Sequence, residues 1–254
     1  MNGDASQFGP LATHYDELMQ VVPYDDWAEY VMTLFSFAGH KPQRTLDCAC
    51  GTGNISFELA RLGQEVVGVD ISAEMIRVAR EKAQGRNADN PRFYQADLAD
   101  FTLVESFDSA TCLYDSLNYI LEPEGLQAAF SHIAQHVESG GVFVFDMNSV
   151  FALSQDLFTQ SNFNPRAALH YDWRAHFDAS TRICRVEMKF ERATKNGVEE
   201  FHETHRERAY ELDEVKSMLQ IANWNLLYAF DAYTLNPPHA RSERWFFVAQ
   251  KRGD

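Results

Sequence analysis

Basic residues and cysteines are scarce in this chain of 254 residues, and long apolar runs are missing. Lysine plus arginine number 22 against 37 aspartates and glutamates, a formal charge of −15. A surface that negative repels phosphate backbones, and no local basic patch offsets it, so no nucleic-acid partner is expected. No stretch approaches the roughly 18 consecutive apolar residues of a membrane span, so no membrane partner is expected either. The start, MNGDASQFGPLATHYDELM, has neither a basic lead nor an apolar run and does not read as a signal peptide. Four cysteines, two of them in Cys48-Ala49-Cys50, are too few and too clustered for a disulfide framework; they fit a reducing cytoplasm. What is abundant is core material. The chain is 45% hydrophobic with 19 Phe, 10 Tyr and 4 Trp, which excludes wholesale disorder and supplies one large domain.

A strand–helix rhythm organises most of it. Trp27 to Ala38 reads as a helix ending near Gly39. Arg44 to Cys50 is a short apolar run stopped by Gly51-Thr52-Gly53, and Asn54 to Leu62 is helical. Glu65 to Asp70 is a β-branched strand; Ser72 caps a helix with Met75, Ile76, Ala79 and Ala83 on one face. Strands follow at Arg92 to Ala96 and Phe107 to Leu113. Pro123 opens a further helix that Gly140-Gly141 stops, ahead of a strand over Val142 to Phe145. Near-continuous apolar strands alternating with helices predict a doubly wound, mostly parallel α/β sheet.

The rhythm breaks after Asn148. From about Leu169 to Tyr210, alternating polar and apolar residues with turn signals at Asp178-Ala179-Ser180 and Lys195-Asn196-Gly197 predict an inserted antiparallel β-meander. The earlier habit then returns with a helix over Leu212 to Asn223 and strands over Trp224 to Ala232 and Arg244 to Gln250. The expected division is an N-terminal helical cap over 1–43, an α/β domain over 44–150 and 211–254, and an inserted β subdomain over 151–210.

The chemistry concentrates at Leu46 to Gly53, LDCACGTG, between a strand and a helix. Two glycines there let backbone pass close to a ligand, and the following helix offers free N–H groups. Nineteen residues after Gly51, Asp70 ends the second strand, where a carboxylate can accept from both hydroxyls of a ribose. Together they describe a nucleoside site. A dinucleotide fingerprint would need a third glycine where Ser56 stands, and no Gly-Lys-Ser/Thr makes a P-loop.

The arrangement resembles the class I S-adenosylmethionine-dependent methyltransferases. LDCACGTG is similar to that family's first motif: Asp47 matches its acidic residue, Gly51 and Gly53 its last two glycines, and Ala49 replaces the first. VVGVDIS matches the second motif, which would put Asp70 on the ribose and Ile71 beside the adenine. Gln95-Ala96-Asp97-Leu98 matches the third, with Asp97 near the adenine amino group. FDSATCLYDSLNYI resembles the fourth-strand segment and RWFFVAQK the antiparallel last strand; the match spans roughly 44–148 and 211–251. HYDELM, PYDDWAEYV and the inserted meander further resemble the small-molecule branch that includes sugar-amine N,N-dimethyltransferases, in which a tyrosine matched by Tyr15 closes over the cofactor. The resemblance implies S-adenosyl-L-methionine as cofactor, a small-molecule substrate methylated on nitrogen or oxygen, and cofactor contacts at Tyr15, Asp47, Ala49, Gly51, Gly53, Asp70, Ile71, Met75, Asp97, Leu98 and Leu113. The meander would form a substrate wall or a homodimer contact, and no metal is implied. The alternatives are a non-catalytic nucleoside-binding module of the same fold and a nicotinamide-dependent oxidoreductase.

Methyl transfer asks for alignment more than for protein chemistry, because the sulfonium donor is already reactive. A base is needed only if the nucleophile arrives protonated. Tyr119, Asp115 and His170 are the catalytic candidates. Tyr114, Asp115, Asn118 and Tyr119 either cap a helix start or meet substrate, and His176 and Arg241 are further pocket candidates. His202 and His205 lie three apart in a strand and so face opposite sides; the pair does not converge on a metal, and both read as solvated or substrate-facing strand residues. Asn236-Pro237-Pro238-His239 reads as a turn between the last two strands, and the cysteines read as small core residues.

Overall fold

A computed structural model describes residues 8–162, 169–194 and 197–253. In chain order it contains α1 (Tyr15–Leu18), α2 (Tyr24–Phe37), β1 (Arg44–Cys48), α3 (Asn54–Arg61), β2 (Glu65–Asp70), α4 (Ala73–Gly85), β3 (Arg92–Gln95), β4 (Phe107–Cys112), α5 (Pro123–His136), β5 (Val137–Asn148) and α6 (Val150–Ser154). Then come β6 (Gln160–Ser161), β7 (Leu169–Asp178), β8 (Ile183–Thr194), β9 (Gly197–Arg208), α7 (Leu212–Ile221), β10 (Trp224–Asp231) and β11 (Arg244–Lys251). Short 3-10 turns occupy Pro10–Thr13 and Ser116–Tyr119.

Seven strands form one sheet in the order β10-β11-β5-β4-β1-β2-β3, with β11 antiparallel to both neighbours and β1 to β5 parallel. β5 shows how the sequence fills both faces. Phe143, Phe145 and Met147 join the core under α5 and α7, whereas Val142 and Val144 join the core under α2 and α3. The period of two sends alternate residues to opposite faces, and both faces are dry. Each fully buried aliphatic or aromatic side chain contributes about 1.5–3 kcal/mol relative to exposure. The strand order reverses between β1 and β4, so the crevice at their carboxyl ends is where an open α/β sheet takes a ligand.

Ser72 caps α4, its hydroxyl accepting from Met75 N at 3.3 Å, and Pro123 opens α5. One boundary differs from the expectation. α5 passes directly into β5 at Val137, and Gly140-Gly141 lie inside the strand rather than ahead of it. The β4–β5 register shifts between Phe107 and Ser109. A Cβ on Gly141 would stand 2.5 Å from the Asp108 carbonyl oxygen, so glycine is what lets the strand run through this irregularity.

The second sheet, β6-β7-β8-β9, is antiparallel throughout. β8 and β9 stay in register from Ile183↔Arg208 to Thr194↔Gly197; the predicted Lys195-Asn196 turn lies outside the described residues. Its inner face packs Val186, Met188 and Phe190 against Leu11 and Leu153, which brings the N-terminal segment between the two sheets. Among the described residues no helix is long and apolar enough to cross a membrane.

Candidate active site

The glycine turn is built by backbone conformations that side chains resist. Ala49, Gly51 and Gly53 have φ of 53°, 55° and 81°, all left-handed. A Cβ on Gly53 would lie 2.5 Å from Phe93 Cζ, whereas one on Gly51 would meet nothing within 4 Å. Gly53 therefore serves packing, and Gly51 leaves open space. Cys50 N donates to the Val69 carbonyl at 2.9 Å, tying the turn to β2.

Asp70 closes the other side. Its carboxylate accepts from Gly51 N and from Ser72 N, each at 2.8 Å, so the end of β2 and the turn after β1 hold one buried acceptor between them. Burial raises its pKa, opposed by the Ser72 and Gly51 N–H groups. Asp47, also buried, accepts from Ser56 Oγ and from Thr111 Oγ1 at 2.9 Å; desolvation pushes it up to about 6.

At the end of β4, Tyr114 and Asp115 are consecutive left-handed residues with φ of 64° and 51°. Non-glycine residues keep such conformations only where the surroundings over-determine them. Here Asp115 N donates to Asp146 Oδ2 at 3.0 Å, and Arg244 bridges Asp115 (2.7 Å) and Asp146. The guanidinium also lies 5.6 Å from the centre of the Trp27 ring, which stacks on Tyr114 at 4.2 Å. Asp146 is fully buried, and desolvation pushes it up to about 6 despite Arg244.

Asp47, Ala49, Gly51, Asp70, Tyr114 and Asp115 line one cavity of about 300 Å³ that extends to the second sheet and the N-terminal segment. Phe8, Tyr15 and Tyr24 line it from the N-terminal side, and Trp173, Val186, Met188, His205 and Glu207 from the antiparallel sheet. Asp16 fastens α1 across the glycine turn: its carboxylate accepts from Thr52 Oγ1 at 2.6 Å and Asn54 Nδ2 at 3.0 Å and pairs with Lys82 at 2.8 Å. On β9, residues 203, 205 and 207 share the buried face, while His202 is exposed. His205 Nδ1 lies 3.0 Å from the Tyr119 hydroxyl and its Nε2 lies 2.7 Å from Glu203 Oε2. Glu207 accepts from Asn148 Nδ2 at 2.8 Å, and burial holds its carboxyl well above the usual range.

The cavity's chemistry fits S-adenosylmethionine: a fixed carboxylate acceptor stands beside open space at Gly51, with apolar Ile71, Met75 and Leu113 nearby and several acidic groups for a cationic ligand. Among the described residues no cluster of His, Cys, Asp and Glu could hold a metal ion.

Comparison with known proteins decides the family. A pattern described as "Methyltransferase domain" matches residues 45–141. A putative methyltransferase of Geobacillus sp. (strain WCH70) is 33% identical over 95% of this chain and 98% of its own length. The chain belongs to the class I S-adenosylmethionine-dependent methyltransferases. The crystal structure of an S-adenosylmethionine-dependent methyltransferase from Clostridium acetobutylicum ATCC 824 superposes with a TM-score of 0.85 at 28% identity, covering 96% of this chain and 98% of that one. A dTDP-3-amino-3,6-dideoxy-alpha-D-glucopyranose N,N-dimethyltransferase of Streptomyces fradiae is 32% identical over 56% of this chain and 54% of its own.

In this methyltransferase the cavity gathers Tyr15, Asp47, Ala49, Gly51, Asp70, Ile71, Met75, Leu113, Asp115 and Tyr119. Gly53, Asp97, Leu98 and His170 are not among its lining residues. Gly53 faces Phe93, and Leu98 is buried in the core under α5. Asp97 turns its carboxylate onto Ala99 N at 2.9 Å, and His170 sits opposite Glu191 on β7. His176 and Arg241 are exposed. Cys48 and Cys112 are core residues, but Cys50 is half-buried and lines the cavity. Sequence reasoning missed Trp173, Glu203 and Glu207. The signal for the last two is the two-residue period of Glu203-Thr204-His205-Arg206-Glu207, which puts three functional groups on one face.

Proposed function

We propose that this methyltransferase transfers a methyl group from S-adenosylmethionine to a nitrogen or oxygen of a small molecule. The carrying observation is that the Asp70 carboxylate, fixed by two backbone N–H groups, faces the same cavity as Tyr119, His205 and Glu207. Asp70 holds the ribose hydroxyls, with Ile71, Met75 and Leu113 along the adenine. Asp47, Ala49 and Gly51 face the methionine portion, and Tyr15 covers it. Asp97 and Leu98 follow β3 at the same end of the sheet, where the Ala96 N–H meets the Asp70 carbonyl at 2.9 Å, and belong to the adenine end. Gly53 shapes the turn. The segment 151–210 supplies the acceptor wall through Trp173, Val186 and Met188, with Asp115 and Tyr119 opposite.

When bound, the cofactor supplies a sulfonium-activated methyl group; the protein's part is to align the acceptor, exclude water and receive a proton. The Streptomyces fradiae relative, named as an aminosugar N,N-dimethyltransferase, and the acidic cavity both favour an amine-bearing acceptor. The test has two stages. Calorimetric titration with S-adenosylmethionine and NADH should show binding of the first and none of the second. Tritiated S-adenosylmethionine should then label at least one member of a panel of primary amines and alcohols. Binding of NADH alone would overturn the reading, and cofactor binding without transfer across the panel would favour a non-catalytic module.

A further inference from the structure

The buried row on β9 carries chemistry that the cofactor end of the cavity does not use. Glu203 is 7% exposed, yet its carboxylate receives three donors: Leu11 N at 2.8 Å on Oε1, with Phe8 N at 3.1 Å and His205 Nε2 at 2.7 Å on Oε2. A carboxylate only accepts, so the hydrogen of neutral His205 resides on Nε2. Nδ1 is then left as an acceptor, 3.0 Å from the Tyr119 hydroxyl, which donates to it. Tyr119 lines the cavity. Phe8 covers the group: its ring centre lies 4.4 Å from that of His205 and 5.4 Å from that of Tyr119. The segment that shields the pair from water is thus bonded to the carboxylate that orients it.

We propose that Tyr119, His205 and Glu203 form a proton relay for the methyl acceptor, completed only when the N-terminal segment is seated on Glu203. The acceptor atom bonds the methyl carbon as the donor's carbon–sulfur bond breaks, its electron pair remaining on sulfur. The acceptor's proton passes to Tyr119 Oη, the Tyr119 proton passes to His205 Nδ1, and the resulting imidazolium is held against Glu203. Tyr119 is the catalytic residue; His205 and Glu203 act through it. Such a relay serves an acceptor that must lose a proton, an ammonium or a hydroxyl, and has no use for a carboxylate. The inference rests on the methyl-transfer reading above.

Imidazole-labelled protein tests it without an acceptor. Nitrogen NMR should show wild-type His205 protonated on Nε2 and bare on Nδ1 at neutral pH. Glu203→Gln should populate the other tautomer and raise amide exchange at Phe8 or Leu11 at least tenfold. Tyr119→Phe, which removes only a hydroxyl, should keep the Nε2–H tautomer and bind S-adenosylmethionine normally, yet lose about 10²–10⁴-fold in transfer from tritiated S-adenosylmethionine to the panel. An Nδ1–H tautomer in the wild type would overturn the proposal. So would a Glu203→Gln protein that keeps both tautomer and exchange protection, or a Tyr119→Phe enzyme at full rate. If the wild type binds no S-adenosylmethionine, the functional reading fails instead, while tautomer and exchange still judge the relay.

Discussion

Replacing Asp70 by asparagine perturbs the cofactor site at one atom while conserving volume. In the wild type each carboxylate oxygen already accepts one backbone N–H at 2.8 Å, from Gly51 and from Ser72. A carboxylate has about four acceptor positions, so two remain for ligand hydroxyls. Asparagine keeps one oxygen. Its amide nitrogen must confront either the Gly51 or the Ser72 N–H, and a ribose hydroxyl loses a charged acceptor. A hydrogen bond to a charged group contributes about 1.5–3 kcal/mol net, which corresponds to roughly 10- to 150-fold weaker binding. The free protein also loses one anchor of the turn, worth about 1 kcal/mol, or a fall in Tm of about 2–4 °C. Isothermal titration with S-adenosylmethionine and S-adenosylhomocysteine, well below the melting transition, separates the two effects. An unchanged dissociation constant for both ligands would refute the ribose assignment, however much the Tm moved.

The two glycines of the turn should respond oppositely. Gly53→Ala forces a Cβ to within 2.5 Å of Phe93 at φ 81°, and should cost about 2–4 kcal/mol, seen as a lower denaturation midpoint. Gly51→Ala meets open space and should cost about 1 kcal/mol of stability but abolish measurable S-adenosylmethionine binding; equal behaviour of the two variants would contradict their separate roles. Asp47 makes stability pH-dependent. Its carboxyl is raised from 3.8 to about 6, so the folded state holds the proton that the unfolded chain releases. That contribution is complete below pH 3.8 and is lost as pH rises through 6, about 3 kcal/mol at most. Asp47→Asn should flatten the decline in denaturant stability across this window, and parallel curves for variant and wild type would remove Asp47 as its source.

Most of the fold was legible because both faces of the main sheet are buried. Uninterrupted runs such as Val142-Phe143-Val144-Phe145 have no solvated partner to confuse the pattern, and turn residues such as Gly63 and Pro123 punctuate them. The start of β5 was misplaced because Gly140-Gly141 signals a stop locally, whereas the register shift that admits both glycines into the strand depends on β4. At the site, the cofactor end could be read because the turn and Asp70 belong to consecutive elements. The acceptor end was legible only at Asp115 and Tyr119. Tyr119, the Glu203–His205 pair and Phe8 converge from three separated stretches, and their meeting is set by how the second sheet packs on the N-terminal segment. The spacing puts His202 and His205 on opposite faces of β9, one exposed and one buried, yet it drew attention away from the two-residue period of Glu203, His205 and Glu207.

A crystal structure of the protein with S-adenosylhomocysteine is the most direct test of the central claim. It should place both ribose hydroxyls within about 2.7–3.2 Å of the Asp70 oxygens, the amino-acid end over Gly51, and the sulfur toward Tyr119. A ligand bound elsewhere, or an Asp70 carboxylate turned away from the ribose, would contradict it.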